Sequence, residues 1–343
     1  MTKGRVGIIL CQRKRAVVLI SLALFMLFEP ACRGRAPETS CIYGNSIPDK
    51  ELDSMMETGN RLVALIEAQD YSALYDAGTE LMKRRQTKDQ FVTVMKGADD
   101  SFGKKEYSRL KEAYLLESKA KDDHVAIPCN LGMKGADDLH LVPANRKLAV
   151  LVYRSKALYG IVRLVVHLAW EDEKWKLFSV VPNPASIKGH LAGYYFNQAH
   201  ESREKNLLRL ALLQYQVAMI LSDLGPNIEE FAMRQINREA QEIKVDYMPR
   251  NMVQMWETPN GTLYKVYNIG IQVIEGKIYV DISYMTSSLS DSEKVEKESR
   301  DLIRFVKEKF PEYEQGFDGL VISARSEKPD ESYQVYRVIE NFH

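Results

Sequence analysis

Apolar side chains recur at helical spacing from Glu51 onward. Leu52, Met55, Met56, Leu62, Leu65 and Ile66 line one face and predict an amphipathic helix. Gln69-Asp70 interrupts the run, and Leu74, Ala77 and Leu81 set a second helix over residues 72–85. Thr87-Lys88-Asp89-Gln90 has the form of a capping box and predicts a third, short helix, with Gly97 and Gly103 at its end. After residue 110 the period falls to two. Strands are expected over 110–120, 147–159, 161–170 and 175–181, the last two joined across Glu171-Asp172-Glu173-Lys174. Helices first and antiparallel strands after them define an α+β fold class.

Pro182 and Pro184 close this first domain, residues 51–184. Residues 185–250 read as a helical hairpin, broken at Gly225-Pro226-Asn227. Its Ala211-x-x-x-Tyr215-x-x-Ala218 spacing is loosely similar to the second helix of a tetratricopeptide repeat, in a single copy. Tyr194-Tyr195-Phe196 is an aromatic cluster expected to pack between domains. Residues 255–343 form a small C-terminal β-β-α-β-β domain. Leu263–Ile274 and Lys277–Tyr284 meet at a Glu275-Gly276 turn. Ser290-x-x-Glu293 opens a helix whose Val295, Leu302, Phe305 and Val306 face inward, and residues 320–324 and 333–339 are two further strands.

Ahead of all this lies a different pattern. Arg13-Lys14-Arg15 precedes thirteen uncharged, mostly apolar residues, Ala16 to Phe28. A spanning helix needs about 20 such residues. A basic start, a short apolar core and small residues make the three-part form of an export signal. Residues 1–31 are therefore expected to be a signal peptide, or an uncleaved signal anchor, and residues 32–50, rich in Pro, Gly and Ser, a tether. Ala31-Cys32 resembles the lipobox of bacterial lipoproteins, although Glu29 and Pro30 depart from its apolar pattern. The resemblance implies lipidation at Cys32, membrane attachment, and a location in the periplasm or at the cell surface. Cys11 falls inside the signal. With Cys32 lipidated, Cys41 and Cys129 remain as an even pair, either a disulfide or two free thiols.

A second resemblance comes from Leu65-Ile66-x-x-Gln69-Asp70-Tyr71-x-x-Leu74-Tyr75 together with Glu171-Asp172-Glu173-Lys174-Trp175-Lys176-Leu177. Three helices followed by a meander with this last hairpin resemble the NTF2-like (cystatin-like) superfamily over residues 51–184. The resemblance implies an NTF2-like helix-plus-curved-antiparallel-sheet domain whose cone can hold a small ligand or a hydrolase or isomerase site. Residues 122–146 exceed its usual strand connection and read as an insertion.

Charge and motifs narrow the function classes. The chain of 343 residues carries 47 basic and 47 acidic residues. Residues 1–31 hold five of the bases and one of the acids, which leaves the remainder at −4. This is no nucleic-acid footprint. A Gly-rich phosphate loop, a nucleophile elbow, HExxH and CxxC are all missing from the sequence, and no cofactor or metal is implied. Polar candidates are few. Asp122-Asp123-His124 and Asp137-Asp138-x-His140 set carboxylates beside imidazoles in the insertion, where they could bind a cation or set a base, or be solvated surface. Arg163 and His167 share one face of a strand whose other face, Val162, Leu164, Val166, Leu168 and Trp170, is apolar and expected in the core. His167 is thus expected on the outer face or at a cavity mouth. The expected function is non-catalytic: an exported envelope protein whose partners are the membrane and another envelope protein.

Overall fold

The computed structural model describes residues 39–119, 124–129, 138–143, 146–225, 228–229, 231–249, 252–327 and 335–342. Residues 1–31, expected to be an export signal, and Cys32 lie outside them. The fold is mixed α+β, with eight helices, two five-stranded antiparallel-rich sheets and a small three-stranded one among the described residues. No helix among these residues is long and apolar enough to cross a membrane.

The first sheet is built from β1 (Thr39–Tyr43), β2 (Lys105–Ser118), β5 (Arg146–Ala157), β6 (Gly160–Glu171) and β7 (Lys174–Pro184), side by side in that order and all antiparallel. β1 falls within the stretch expected to be a tether. Its residues Thr39–Tyr43 instead pair with Ser118–Tyr114, and Gly44–Ser46 form a 3-10 turn. A short β-run, TSCIY, was hidden among turn-forming neighbours.

Four helices cover one face of this sheet: α1 (Asp49–Glu67), α2 (Tyr71–Asp76), α3 (Glu80–Arg85) and α4 (Lys88–Phe102). The expected α1 face is the buried one: Met55, Leu62 and Ile66 meet Leu151, Tyr153, Leu164 and Leu168 from the sheet. Gly59 permits this approach, because a Cβ there would overlap Leu151 Cδ1. The single helix expected over 72–85 is two. Around Gly78 the backbone leaves the helix to bond β7: Leu177 N–H donates to Ala77 C=O, and Thr79 N–H to Leu177 C=O. Thr79 then caps α3. Thr87 and Gln90 form the expected capping box on α4.

The other face is also buried, which the sequence reading did not anticipate. The insertion folds as a hairpin of β3 (His124–Cys129) and β4 (Asp138–Pro143), to which β8 (Ile228–Glu229) adds a third strand. Ile127, Cys129 and Ile228 pack on Tyr114, Leu116, Val150, Val165 and Ala169 of the first sheet. Pro128 is tolerated because β3 is an edge strand. A disulfide joins Cys41 of β1 to Cys129 of β3, with Cα atoms 5.5 Å apart.

The region read as a helical hairpin holds three helices: α5 (Ala192–Glu204), α6 (Leu208–Ser222) and α7 (Phe231–Glu242). They share one apolar core with the C-terminal sheet. That sheet has β9 (Gln254–Glu257), β10 (Leu263–Ile274), β11 (Lys277–Thr286), β12 (Gly319–Ser326) and β13 (Val335–Asn341) in the order β13-β12-β11-β10-β9. β11 and β12 run parallel, so a crossover must join them, and α8 (Ser292–Lys309) supplies it. The inward residues named for α8 are all buried. Its cap is Asp291, whose carboxylate accepts from Lys294 N–H, one residue beyond the Ser290 expected. Glu275 and Gly276 both adopt positive φ in a tight β10–β11 turn, and β9 is an added strand that the sequence reading left unassigned.

Candidate functional site

Of the acidic and histidine residues of the insertion, only His124, Asp138 and His140 lie in described strands, and His124 and Asp138 fall at opposite ends of one hairpin. Asp122, Asp123 and Asp137 lie outside the described residues. His124 pairs with Pro143 at one end of the β3–β4 hairpin and Asp138 pairs with Cys129 at the other, five residues along, or about 17 Å. Among the described residues no group of three or more His, Cys, Asp or Glu is placed to hold a metal ion.

His140 and His167 are buried, not exposed. His140 stands on β4 opposite Ile127 and Ile228, with its ring 4.7 Å from that of Tyr114. Neither of its ring nitrogens has a hydrogen-bond partner. His167 Nδ1 meets Ser179 Oγ at 2.9 Å, and its Nε2 is unpartnered. Burial pushes His140 down to about 4. Burial, and then the neighbouring His140, push His167 down to about 3. Both are held as neutral imidazoles in an apolar layer. His167 does stand on the sheet face away from the helices, as expected, but β3, β4 and β8 cover that face. The signal lay in β5 and β6: LAVLVY and IVRLVVHLA are apolar at successive positions, which is how a strand buried on both faces reads. Arg163 has a structural role. Its guanidinium donates to the carbonyls of Leu221 and Ser222 at 3.2 Å and Asp223 at 3.4 Å, closing the C-terminus of α6.

One polar cluster was not foreseen. Lys105, wholly buried at the start of β2, pairs with Asp99 of α4. Asp99 also accepts from Tyr71 OH, and from Gln69 Nε2 at 2.8 Å. Burial and Asp99 together raise the Tyr71 phenol. The cluster ties α2, α4 and β2 together inside the protein. Nothing in the spacing of these residues announces it.

Trp170 departs from expectation in the other direction. It belongs to the apolar face of β6 but lies at the end of the strand, past the cover of the helices, and is 40% exposed. Its ring meets that of buried Trp175 edge-on at 5.2 Å. Lys147 Nζ lies 5.6 Å from the Trp170 centroid and pairs with Glu51 at 2.6 Å. A hollow of about 510 Å³ opens between this hairpin and α1. Ser54, Glu57, Thr58 and Arg61 line it from α1 at i, i+3, i+4 and i+7, which is one helix stripe. A second hollow of about 340 Å³ adjoins it, sharing Arg61, Lys174 and Trp175 and reaching Gly78 and Lys83. Around the two, the carboxylates of Glu57, Glu173, Asp76 and Glu80 match the cations of Arg61, Lys174, Lys83 and Lys176. Trp175 Nε1 is buried beside the hollows and has no acceptor.

The aromatic run on α5 divides. Tyr195 is buried and donates to Ile187 C=O at 3.2 Å, whereas Tyr194 is exposed and stacks on His190 at 3.8 Å. A separate cleft of about 560 Å³ lies among α6, α7 and β10, with Gln216 and Tyr267 among its lining.

Comparison with family models, with curated proteins and with solved structures returns no match to this chain.

Proposed function

We propose that this chain is an exported protein of the bacterial cell envelope, held at the membrane by its N-terminal segment, whose folded part binds a partner or ligand and does not catalyse. The Cys41–Cys129 disulfide carries the reading, because such bonds persist in exported compartments and are rare in a reducing cytosol. Their pairing also leaves Cys32 as the one cysteine between the apolar N-terminal run and the fold. The NTF2-like assignment of residues 51–184 is part of the same proposal. Helices on one face of an antiparallel sheet, closed by the β6–β7 hairpin, support it.

The alternative, a ligand or hydrolase site inside the cone, loses support from the packing. Met55, Leu62, Ile66, Phe91 and Met95 fill the space against Leu151, Tyr153 and Leu164, all buried. Of the titratable groups there, Asp99, Lys105 and Tyr71 are spent on one another, and Tyr153 OH donates to Asn60 Oδ1 at 3.1 Å. Palmitate labelling of wild type and Cys32→Ala in cells, with thiol counting on the recovered protein, tests the proposal. Label lost on substitution and no free thiol at Cys41 or Cys129 is the expected result. Label that survives substitution refutes the lipid anchor, and two free thiols refute the exported, oxidised fold.

A further inference from the structure

We infer that the twin hollow between α1 and the β6–β7 hairpin is a binding site for a neutral oligosaccharide, with Trp170 as its stacking platform. The inference rests on the reading that the folded part binds, and it names the class of ligand.

Three observations carry it. First, Trp170 keeps a large indole surface in water at the lip of a concave site. The face of an indole is electron-rich and attracts the weakly positive C–H groups on the flat side of a pyranose ring. An apolar ligand would also cover this ring, but it would strand the polar groups around it. Second, those polar groups are two hydroxyls, a carboxylate and a guanidinium standing in register on one helix stripe: Ser54, Thr58, Glu57 and Arg61. Carboxylates and guanidinium accept and donate paired hydrogen bonds, as vicinal sugar hydroxyls do. The charges around the hollows balance, which disfavours a polyanion and suits an uncharged ligand. Third, the hollows are two and adjoin, with Arg61 and Trp175 common to both. That elongated form fits successive rings of a chain better than one compact metabolite. Trp175 is the aromatic residue common to both, and its ring meets that of Trp170 edge-on.

The fold holds the parts in place. The Asp172-Glu173 turn sets the hairpin end, and Lys176 fastens it through Asp172 at 2.6 Å and Glu171 at 3.3 Å. Met55 and Leu62 in the core fix the opposite stripe of α1. Both walls are therefore rigid elements, as a preorganised site requires.

The test uses the purified full chain in detergent, with cellotriose and chitotriose as neutral probes and trigalacturonate as the anionic control. Calorimetry is expected to show saturable binding of at least one neutral trisaccharide, weakened about tenfold in Trp170→Ala and about threefold in Arg61→Ala. Both positions are exposed, so the variants should keep the wild-type circular dichroism. The three indole N–H signals in a nitrogen–proton correlation spectrum give a readout that needs no variant. Those of Trp170 and Trp175 should move on titration, while Trp256, in the C-terminal core, stays. The proposal is overturned by any of three results: no saturable binding of either neutral sugar at 10 mM or so, near the weak limit for a specific site; equal affinity in wild type and Trp170→Ala; or tighter binding of trigalacturonate. These outcomes are read on purified protein and leave the lipid-labelling result untouched.

Discussion

Acid should weaken this protein through two buried histidines. His140 and His167 are held neutral under the β3–β4–β8 layer, pushed down to about 4 and about 3. In the unfolded chain both return to about 6.5. Between those values the unfolded state binds more protons than the folded one, so stability falls as pH falls. The contribution is whole above about pH 7 and begins to drain through 6.5. By pH 5 each histidine has removed about 2 kcal/mol, or roughly 4 kcal/mol together, and the loss levels off only below the folded values. A domain has about 5–15 kcal/mol in total, so this is a large share. Urea unfolding at pH 7, 6 and 5, on wild type and on His140→Leu/His167→Leu, measures it. The double variant should lose far less over that range. At pH 7 it should also match or exceed wild type, because it removes three unpartnered ring nitrogens from an apolar layer. Equal losses in the two proteins between pH 7 and 5 would refute the reasoning and assign acid sensitivity to carboxylates elsewhere.

Four further outcomes are expected. Reducing Cys41–Cys129 opens a loop of 88 residues and should cost about 4 kcal/mol by chain entropy, seen as a lower urea midpoint with reductant; an unchanged midpoint would contradict it. Gly59→Ala puts a methyl group onto Leu151 Cδ1 and should destabilise by about 1–3 kcal/mol in thermal unfolding. Asp99→Asn strands the buried Lys105 ammonium and should cost about 3–5 kcal/mol, with Asp99→Leu/Lys105→Met recovering most of it. Glu173 sits at φ +59 in the β6–β7 turn, so Glu173→Gly should raise stability by about 1 kcal/mol; a lower melting temperature would show that the side chain matters more than the backbone.

Much of the fold was legible because local patterns and tertiary burial agreed. The α1 stripe, the Thr87-Gln90 box, the β6–β7 hairpin and the inward face of α8 each follow from spacing alone. The failures share a cause, which is a partner from far along the chain. Gly78 leaves its helix because Leu177, 99 positions on, offers backbone hydrogen bonds. His167 is covered by a hairpin that begins 43 positions earlier, and a single histidine between Val166 and Leu168 does not reveal which face has a lid. Trp170 looked like core because alternation marks a face but not where the covering layer stops. The site was less legible than the fold for the same reason. Ser54, Glu57, Thr58 and Arg61 are polar positions on one helix stripe, and the opposite wall comes from a hairpin more than a hundred residues away.

The disulfide also determines how the fold meets a mechanical load. β1 is the edge strand of its sheet and the first described element, so force arriving from the N-terminal side would unzip it from β2 one residue pair at a time, the weakest way to load a strand. Peeling can pass Thr39 and Ser40 but stops at Cys41, where a covalent bond transfers tension to Cys129. From there the pull runs through the β3–β4 hairpin, which lies flat on Tyr114, Val150 and Val165 and must slide as a whole. The bond thus turns a strand that would unravel under tension into a fixed attachment point, and the sheet behind it can stay intact while its leading end is pulled.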